Sequence, residues 1–168
     1  RDRSESGRGA PDSIMELEAG VGQLGRSLQA LDAGRVYVGL DGRGNAPSFS
    51  REYVAWYDLS RGVAPEVLVD WSVALGVLDD GEYGEAAVLA ALHTTNCRGV
   101  AITWTPVGTL RPGQPNNRDP DTVLHLFEAL GYKLRAPPVD VIHNSLVTLL
   151  YILERDPALP RPVNCPAL

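Results

Sequence analysis

The chain has 168 residues, 44% hydrophobic and 21% charged, the size and make-up of one globular domain with enough apolar surface for a core. A formal net charge of −6 argues against a nucleic-acid partner, whose binding rests on neutralising phosphates. No apolar run reaches the ~20 residues of a membrane-spanning helix, and the polar start Arg1-Asp2-Arg3-Ser4-Glu5-Ser6 has no apolar signal core, so a cytoplasmic setting is expected.

Residues 1–12 read as a disordered arm, 13–156 as a single helical domain and 157–168 as a proline-rich extended tail. Ser13-Ile14-Met15-Glu16 matches a capping box, and Ile14, Leu17, Val21, Leu24, Leu28 and Leu31 recur at helical spacing. That predicts a helix over 13–33 in which Gly20, Gly22 and Gly25 lower stability but permit close approach of another helix. Residues 35–40 alternate and suggest a short strand, and 41–47 form a turn. Further helices are predicted at about 51–61, from Pro65 to about Leu78, and at 85–94. Gly99–Thr105 is the best extended segment, and 106–118 is a long loop of the kind that often carries function. A fifth helix opens at Pro120 behind an Asn117 or Asp119 cap and closes at Gly131. A sixth, 139–155, is apolar over so wide a face that it is placed centrally. Six helices with short links predict an all-α fold of antiparallel hairpins.

The stretch Gly99-Val100-Ala101-Ile102-Thr103-Trp104, then Pro115-Asn116-Asn117-Arg118-Asp119-Pro120, then an apolar helix ending Ala129-Leu130-Gly131, resembles a segment of bacterial squalene-cyclase-like and prenyltransferase-like α/α-toroid proteins. It covers about 35 of the 168 residues. The resemblance implies part of an α/α toroid, a hydrophobic isoprenoid- or polyene-like ligand, and cyclisation or isomerisation in bacterial secondary metabolism. The Asp-x-Asp-Asp motif of proton-initiated cyclases is absent, which favours the alternative of a non-catalytic binding or scaffold module with an apolar groove.

Candidate catalytic groups are Asp119, Asp121 and His143, carboxyls or an imidazole that could move a proton at the mouth of an apolar cavity. The bland reading of the two aspartates is that they cap a helix start. Trp71, Trp104, Asn117, His125 and Asn144 are candidate substrate contacts, against ordinary core packing for the tryptophans. His93 and Cys97, four apart, would share a helix face, but no metal-ligand pattern accompanies them, so neither metal nor cofactor is expected. Cys97 reads as a core thiol and Cys165 as an exposed one, with no disulfide by default. The glycine-rich Gly39–Gly44 lacks a phosphate-loop lysine and reads as a turn. A small hydrophobic molecule is the expected partner. An exposed apolar face on 139–155 would point to a homodimer or a partner chain completing the array.

Overall fold

The first apolar stretch obeys a period of two, not of three and a half. In the computed structural model, which describes residues 12–79, 83–109, 116–143, 146–160, 162, 164 and 165, Ile14–Leu17 is a strand, β1. Met15 and Leu17 face the main core, while Ile14 joins a smaller cluster with Trp71 and Val73 on the other face of the sheet. Ser13 caps no helix. Its hydroxyl donates to Asp70 at 2.8 Å and accepts the Asp70 backbone N–H at 2.9 Å, tying two strands together where they begin.

The elements then run α1 (Gln23–Leu31), β2 (Tyr37–Asp41), α2 (Ala46–Ser50), β3 (Val54–Trp56), a 3-10 turn (Leu59–Arg61), β4 (Val69–Ala74) and α3 (Glu85–Thr95). They continue as β5 (Asn96–Trp104), α4 (Pro120–Ala129), β6 (Tyr132–Leu134), β7 (Val139–His143) and β8 (Leu146–Arg155). Among the described residues the strands form one eight-stranded sheet in the order β3-β2-β1-β4-β5-β8-β6, with β7 also paired to β8. Strands β1 to β5 are parallel. β8 runs antiparallel between β5 and β6, with Ala101 opposite Ile152 and Leu134 opposite Leu153. β7 folds back on β8 with His143 opposite Leu146.

The main core lies between the sheet and α3 and α4, where Val88, Leu92, Val123 and Phe127 meet Met15, Leu17, Val100, Ile102, Trp104, Tyr151 and Leu153. On the other face Leu24 and Leu28 of α1 pack against Ile14, Trp71 and Val73. The Trp71 ring lies on Gly99, where a Cβ would sit 2.5 Å from it.

The all-α expectation is therefore wrong: this is an α/β sheet protein, and the toroid analogy falls with it. The helices expected at 85–94 and from Pro120 are present as α3 and α4. The one predicted over 13–33 is a strand, a glycine turn and a shorter helix; those at 51–61 and 65–78 hold β3, the 3-10 turn and β4. The 139–155 segment, expected as the central helix, is the β7–β8 hairpin. The hairpin is apolar at positions that stay open as well as at those that face the core, Val139, Val147 and Ile152 being exposed, and periodicity cannot tell apolar residues at nearly every position from a buried helix. The β-branched Val139, Val141, Ile142, Val147, Thr148 and Ile152 favour the extended form.

The cysteine reading is also corrected. Cys97, at the start of β5, is disulfide-bonded to Cys165, so the proline-rich tail is tied back to the sheet across 68 residues of sequence. Closing a loop of that length stabilises a fold by up to about 4 kcal/mol through the unfolded state. Cys165→Ser is expected to lower the urea midpoint of the oxidised protein, and wild type with reductant should fall to the same midpoint. Equal midpoints with and without reductant would show that the bridge contributes nothing.

Candidate functional site

In a parallel sheet the backbone turns at the carboxyl ends of the strands are free to meet a ligand, above all where the strand order reverses. Here β1 leads outward to β2 and β3 on one side, and β4 leads to β5 on the other, so the reversal lies between β1 and β4. The turn leaving β1 is Gly20-Val21-Gly22-Gln23-Leu24-Gly25, a strand-to-helix G-x-G-x-x-G, and an acid, Asp41, closes β2 21 residues after Gly20.

Each glycine has a physical reason. Gly20 and Gly22 adopt φ of 60° and 75°, left-handed values that side chains resist. A Cβ on Gly22 would come 2.5 Å from the Tyr53 ring, and one on Gly25 would come 2.4 Å from the Tyr37 ring. Those two rings stack with centroids 5.3 Å apart, so α1 reaches β2 and β3 only by presenting bare backbone to them. Tyr37 donates to the buried Glu16, and Tyr53 donates to Gln29 of α1 at 2.6 Å.

The ends of β1 and β2 are locked by reciprocal bonds. The Gly20 N–H donates to Asp41 Oδ2 at 2.8 Å, and the Gly42 N–H donates to Glu18 Oε1 at 3.0 Å. Glu18 holds a positive φ of 54°, strain of the kind concentrated at ligand sites. Tyr83, from the loop between β4 and α3, hydrogen-bonds Glu18, and the indole N–H of Trp56 donates to the Gly42 carbonyl at 3.0 Å. Burial pushes the Glu18 carboxyl above its ordinary pKa, with the Asp41 charge adding to it. Burial pushes Asp41 the same way, but hydrogen bonds from Arg43 and Gly20 outweigh it and hold that carboxyl below the usual value. A cleft of about 510 Å³ opens beside these groups, lined by Glu18–Val21, Gln23, Arg43, Asn45, Ala46 and Phe49. That volume lies within the range of small-molecule sites.

At the ends of β4 and β5, the fully buried Asp79 accepts from the Thr105 hydroxyl, and its Oδ1 has no hydrogen-bond partner among the described residues. The Gly76 N–H donates to Thr103 at 2.7 Å nearby.

The residues singled out from sequence lie elsewhere. Asp119 is the N-cap position of α4 without a side-chain cap bond, and Asp121 is in its first turn; both are exposed. His125 is exposed on α4 beside Glu128. Trp104 is fully buried in the main core, its indole N–H donating to the Asn116 carbonyl at 2.6 Å. Trp71 packs on the opposite face of the sheet under Arg135. Asn117 Nδ2 donates to the Thr109 carbonyl at 2.8 Å. His143 ends β7 with its side chain outside the described set, and Asn144 lies outside the described residues. His93 sits at the end of α3 against Tyr132, where burial lowers its pKa. It shares no helix face with Cys97, which belongs to β5. Among the described residues no group of three or more His, Cys, Asp or Glu is placed to hold a metal.

The glycine turn and Asp41 were missed. The signal was present: three glycines in G-x-G-x-x-G spacing followed by an acid at the distance dinucleotide-type folds use. It was masked because apolar residues at helical spacing ran straight through it.

By sequence the chain matches no family profile and no curated protein. Its fold is shared with solved methyltransferases. Magnesium protoporphyrin IX methyltransferase from Synechocystis PCC 6803, solved with bound SAH, superposes with a TM-score of 0.68 at 17% identity, over 87% of this chain and 75% of that one. A SAM-dependent methyltransferase from Methanosarcina mazei gives 0.67 at 9% identity, over 88% and 94%. An O-methyltransferase from neocarzinostatin biosynthesis, in complex with S-adenosyl-L-homocysteine and 1,4-dihydroxy-2-naphthoic acid, gives 0.65 at 15% identity, over 87% of this chain and 49% of that one. The chain thus spans about half the length of that enzyme. The fold excludes the cyclase-like architecture, and the groove-bearing toroid scaffold offered as the alternative falls with it.

Gly25→Ala should cost about 1–3 kcal/mol, because the added methyl must displace the Tyr37 ring; a denaturation midpoint equal to wild type would contradict the packing described. Glu16 carries a pH signature. Burial raises its folded pKa, so its contribution is full below the unfolded value of about 4.5 and is lost as pH rises through the folded value. Glu16→Gln, which keeps an acceptor for Tyr37, should therefore show a smaller gain in stability than wild type when pH is lowered from about 7 to about 5. Urea titrations at the two pH values measure this.

Proposed function

We propose that this domain binds S-adenosylmethionine at the β1–β2 end of the sheet and transfers its methyl group to a small-molecule acceptor. The observation carrying the proposal is the glycine turn after β1 with Asp41 ending β2, in a sheet whose β8 runs antiparallel between β5 and β6. The turn and acid alone would also suit a nicotinamide dinucleotide, since both ligands contain an adenosine ribose. The antiparallel β8 favours the adenosyl ligand, because the dinucleotide fold has an all-parallel sheet in the order 3-2-1-4-5-6.

The residues fit such a ligand. Gly20 leaves open space above the turn, with one guanidinium as the nearest group to the position of a Cβ. Asp41 is an ionised acceptor for ribose hydroxyls. The cleft beside them supplies Phe49, Val21 and Ala46 as apolar wall and Gln23 and Asn45 as polar groups. When bound, S-adenosylmethionine supplies an electrophilic methyl group. The chain's own contribution is to bind and orient: the turn fixes one end of the ligand, Asp41 its ribose, and the loops after β4 and β5 border the methyl acceptor.

The small hydrophobic ligand expected from sequence enters this reading as the methyl acceptor, by analogy with the neighbour holding 1,4-dihydroxy-2-naphthoic acid. No helix among the described residues is long and apolar enough to cross a membrane. A cytoplasmic setting stays in the proposal; there the Cys97–Cys165 sulfurs face a reducing pool. Calorimetry with S-adenosylhomocysteine and with NADH is the test. Binding of the former and not the latter is expected, with Asp41→Ala weakening it tenfold or more; the opposite preference would replace methyl transfer with dinucleotide chemistry. Transfer of a labelled methyl group to a panel of phenols and amines then identifies the acceptor class.

A further inference from the structure

Asp41 is the acceptor that the adenosyl reading needs, and it is already fully engaged. Its Oδ1 accepts the Arg43 backbone N–H at 3.0 Å and Arg43 Nε at 2.9 Å. Its Oδ2 accepts the Gly20 N–H at 2.8 Å and Arg43 Nη2 at 2.9 Å. An ionised carboxylate offers about four lone-pair sites, and all of these are used. The Asp41 side chain has no exposed surface, whereas that of Arg43 is 65% exposed. The same Nη2 lies 3.7 Å from where a Cβ on Gly20 would be, the nearest atom to that position. One guanidinium therefore covers both the acid and the glycine turn.

The geometry points to Arg43 as a displaceable plug that a ribose must evict, which makes it the residue that sets affinity for a vicinal diol at this site. The inference rests on the adenosyl reading above. The numbers of donors match. Removing the Arg43 side chain frees one lone pair on each Asp41 oxygen, and the two hydroxyls of a ribose supply one donor to each. The Gly20 and Arg43 backbone N–H groups stay in place and keep the carboxylate aimed. Eviction sends the guanidinium into water, which it already touches, so the cost is the loss of its two bonds to Asp41. The guanidinium is exposed, but its partner is buried and held by two bonds, so the pair is stronger than an open surface ion pair; a ribose competes because its two hydroxyls replace both of those bonds. Apparent affinity is then the intrinsic affinity scaled by the fraction of molecules in which Arg43 is away.

The test is calorimetric binding of S-adenosylhomocysteine, adenosine and 2′,3′-dideoxyadenosine to wild type, Arg43→Ala and Arg43→Lys, with folding checked by circular dichroism. Arg43→Ala should bind S-adenosylhomocysteine and adenosine about 5–10-fold more tightly than wild type. It should bind the dideoxynucleoside no more tightly, because only hydroxyls use the freed oxygens. Arg43→Lys keeps the charge but not the fork; it should shift affinity in the same direction by less, and it decides the matter if the alanine variant does not fold. Binding by wild type with both variants equal or weaker overturns the plug and leaves the cofactor reading standing. Equal gains for the dideoxynucleoside overturn it as well, since they indicate a general opening of the cleft. If none of the three proteins binds S-adenosylhomocysteine, the cofactor reading itself fails.

Discussion

Contact between two stacked tyrosines and backbone without Cβ atoms sets the geometry of this molecule. The Tyr37 and Tyr53 rings occupy space that side chains on Gly22, Gly25 and Gly39 would claim. Because α1 can approach β2 only there, the turn before it is held against the end of β2 and the Gly20 N–H reaches Asp41. Close packing of this kind tolerates no added methyl without movement of its neighbours. The polar ends of the same rings, on Glu16 and Gln29, tie the stack to β1 and α1. The position of the candidate site thus follows from apolar packing a few residues below it.

The sheet does the rest by topology. Parallel strands deliver their exit turns to one edge, and the reversal of order between β1 and β4 separates those turns into a crevice. Carboxylates from three strand ends, Glu18, Asp41 and Asp79, collect along that edge. Their surroundings differ: Glu18 is pushed up by burial, Asp41 is held down by its donors, and Asp79 keeps one oxygen free of any described partner. The disulfide, by contrast, anchors the tail at Cys97, the second residue of β5, away from the carboxyl ends.

The errors of the sequence reading share one cause. The 139–155 segment has apolar residues at helical spacing, but it has them at nearly every other spacing too, because Leu149, Tyr151 and Leu153 share the core face while Leu150 and Ile152 make the opposite face apolar as well. The same ambiguity merged β1, the glycine turn and α1 into one predicted helix. Gly20, Gly22 and Gly25 read as a helix cost that permits close approach; the close approach is there, to the Tyr37 and Tyr53 rings and not to a helix, and the left-handed backbone at Gly20 and Gly22 was not legible. The α3 and α4 segments were legible because helix formers run from Glu85 to Thr94 and from Asp121 to Leu130 with no interior glycine or proline.

What the amino-acid order determined by itself was local: the α3 and α4 segments, the strand character within 35–40 and 99–104, a turn within 41–47 that the structure narrows to 42–45, and the G-x-G-x-x-G with its distant acid, there to be read. What only the tertiary structure decided was non-local. Strand order, the antiparallel insertion of β8, the Cys97–Cys165 pairing and the arrival of Gly20 on Asp41 and under Arg43 depend on contacts between residues far apart in the chain. Periodicity reports which faces of a segment are buried. It carries no information on which partner buries them, and a sheet is made of partners.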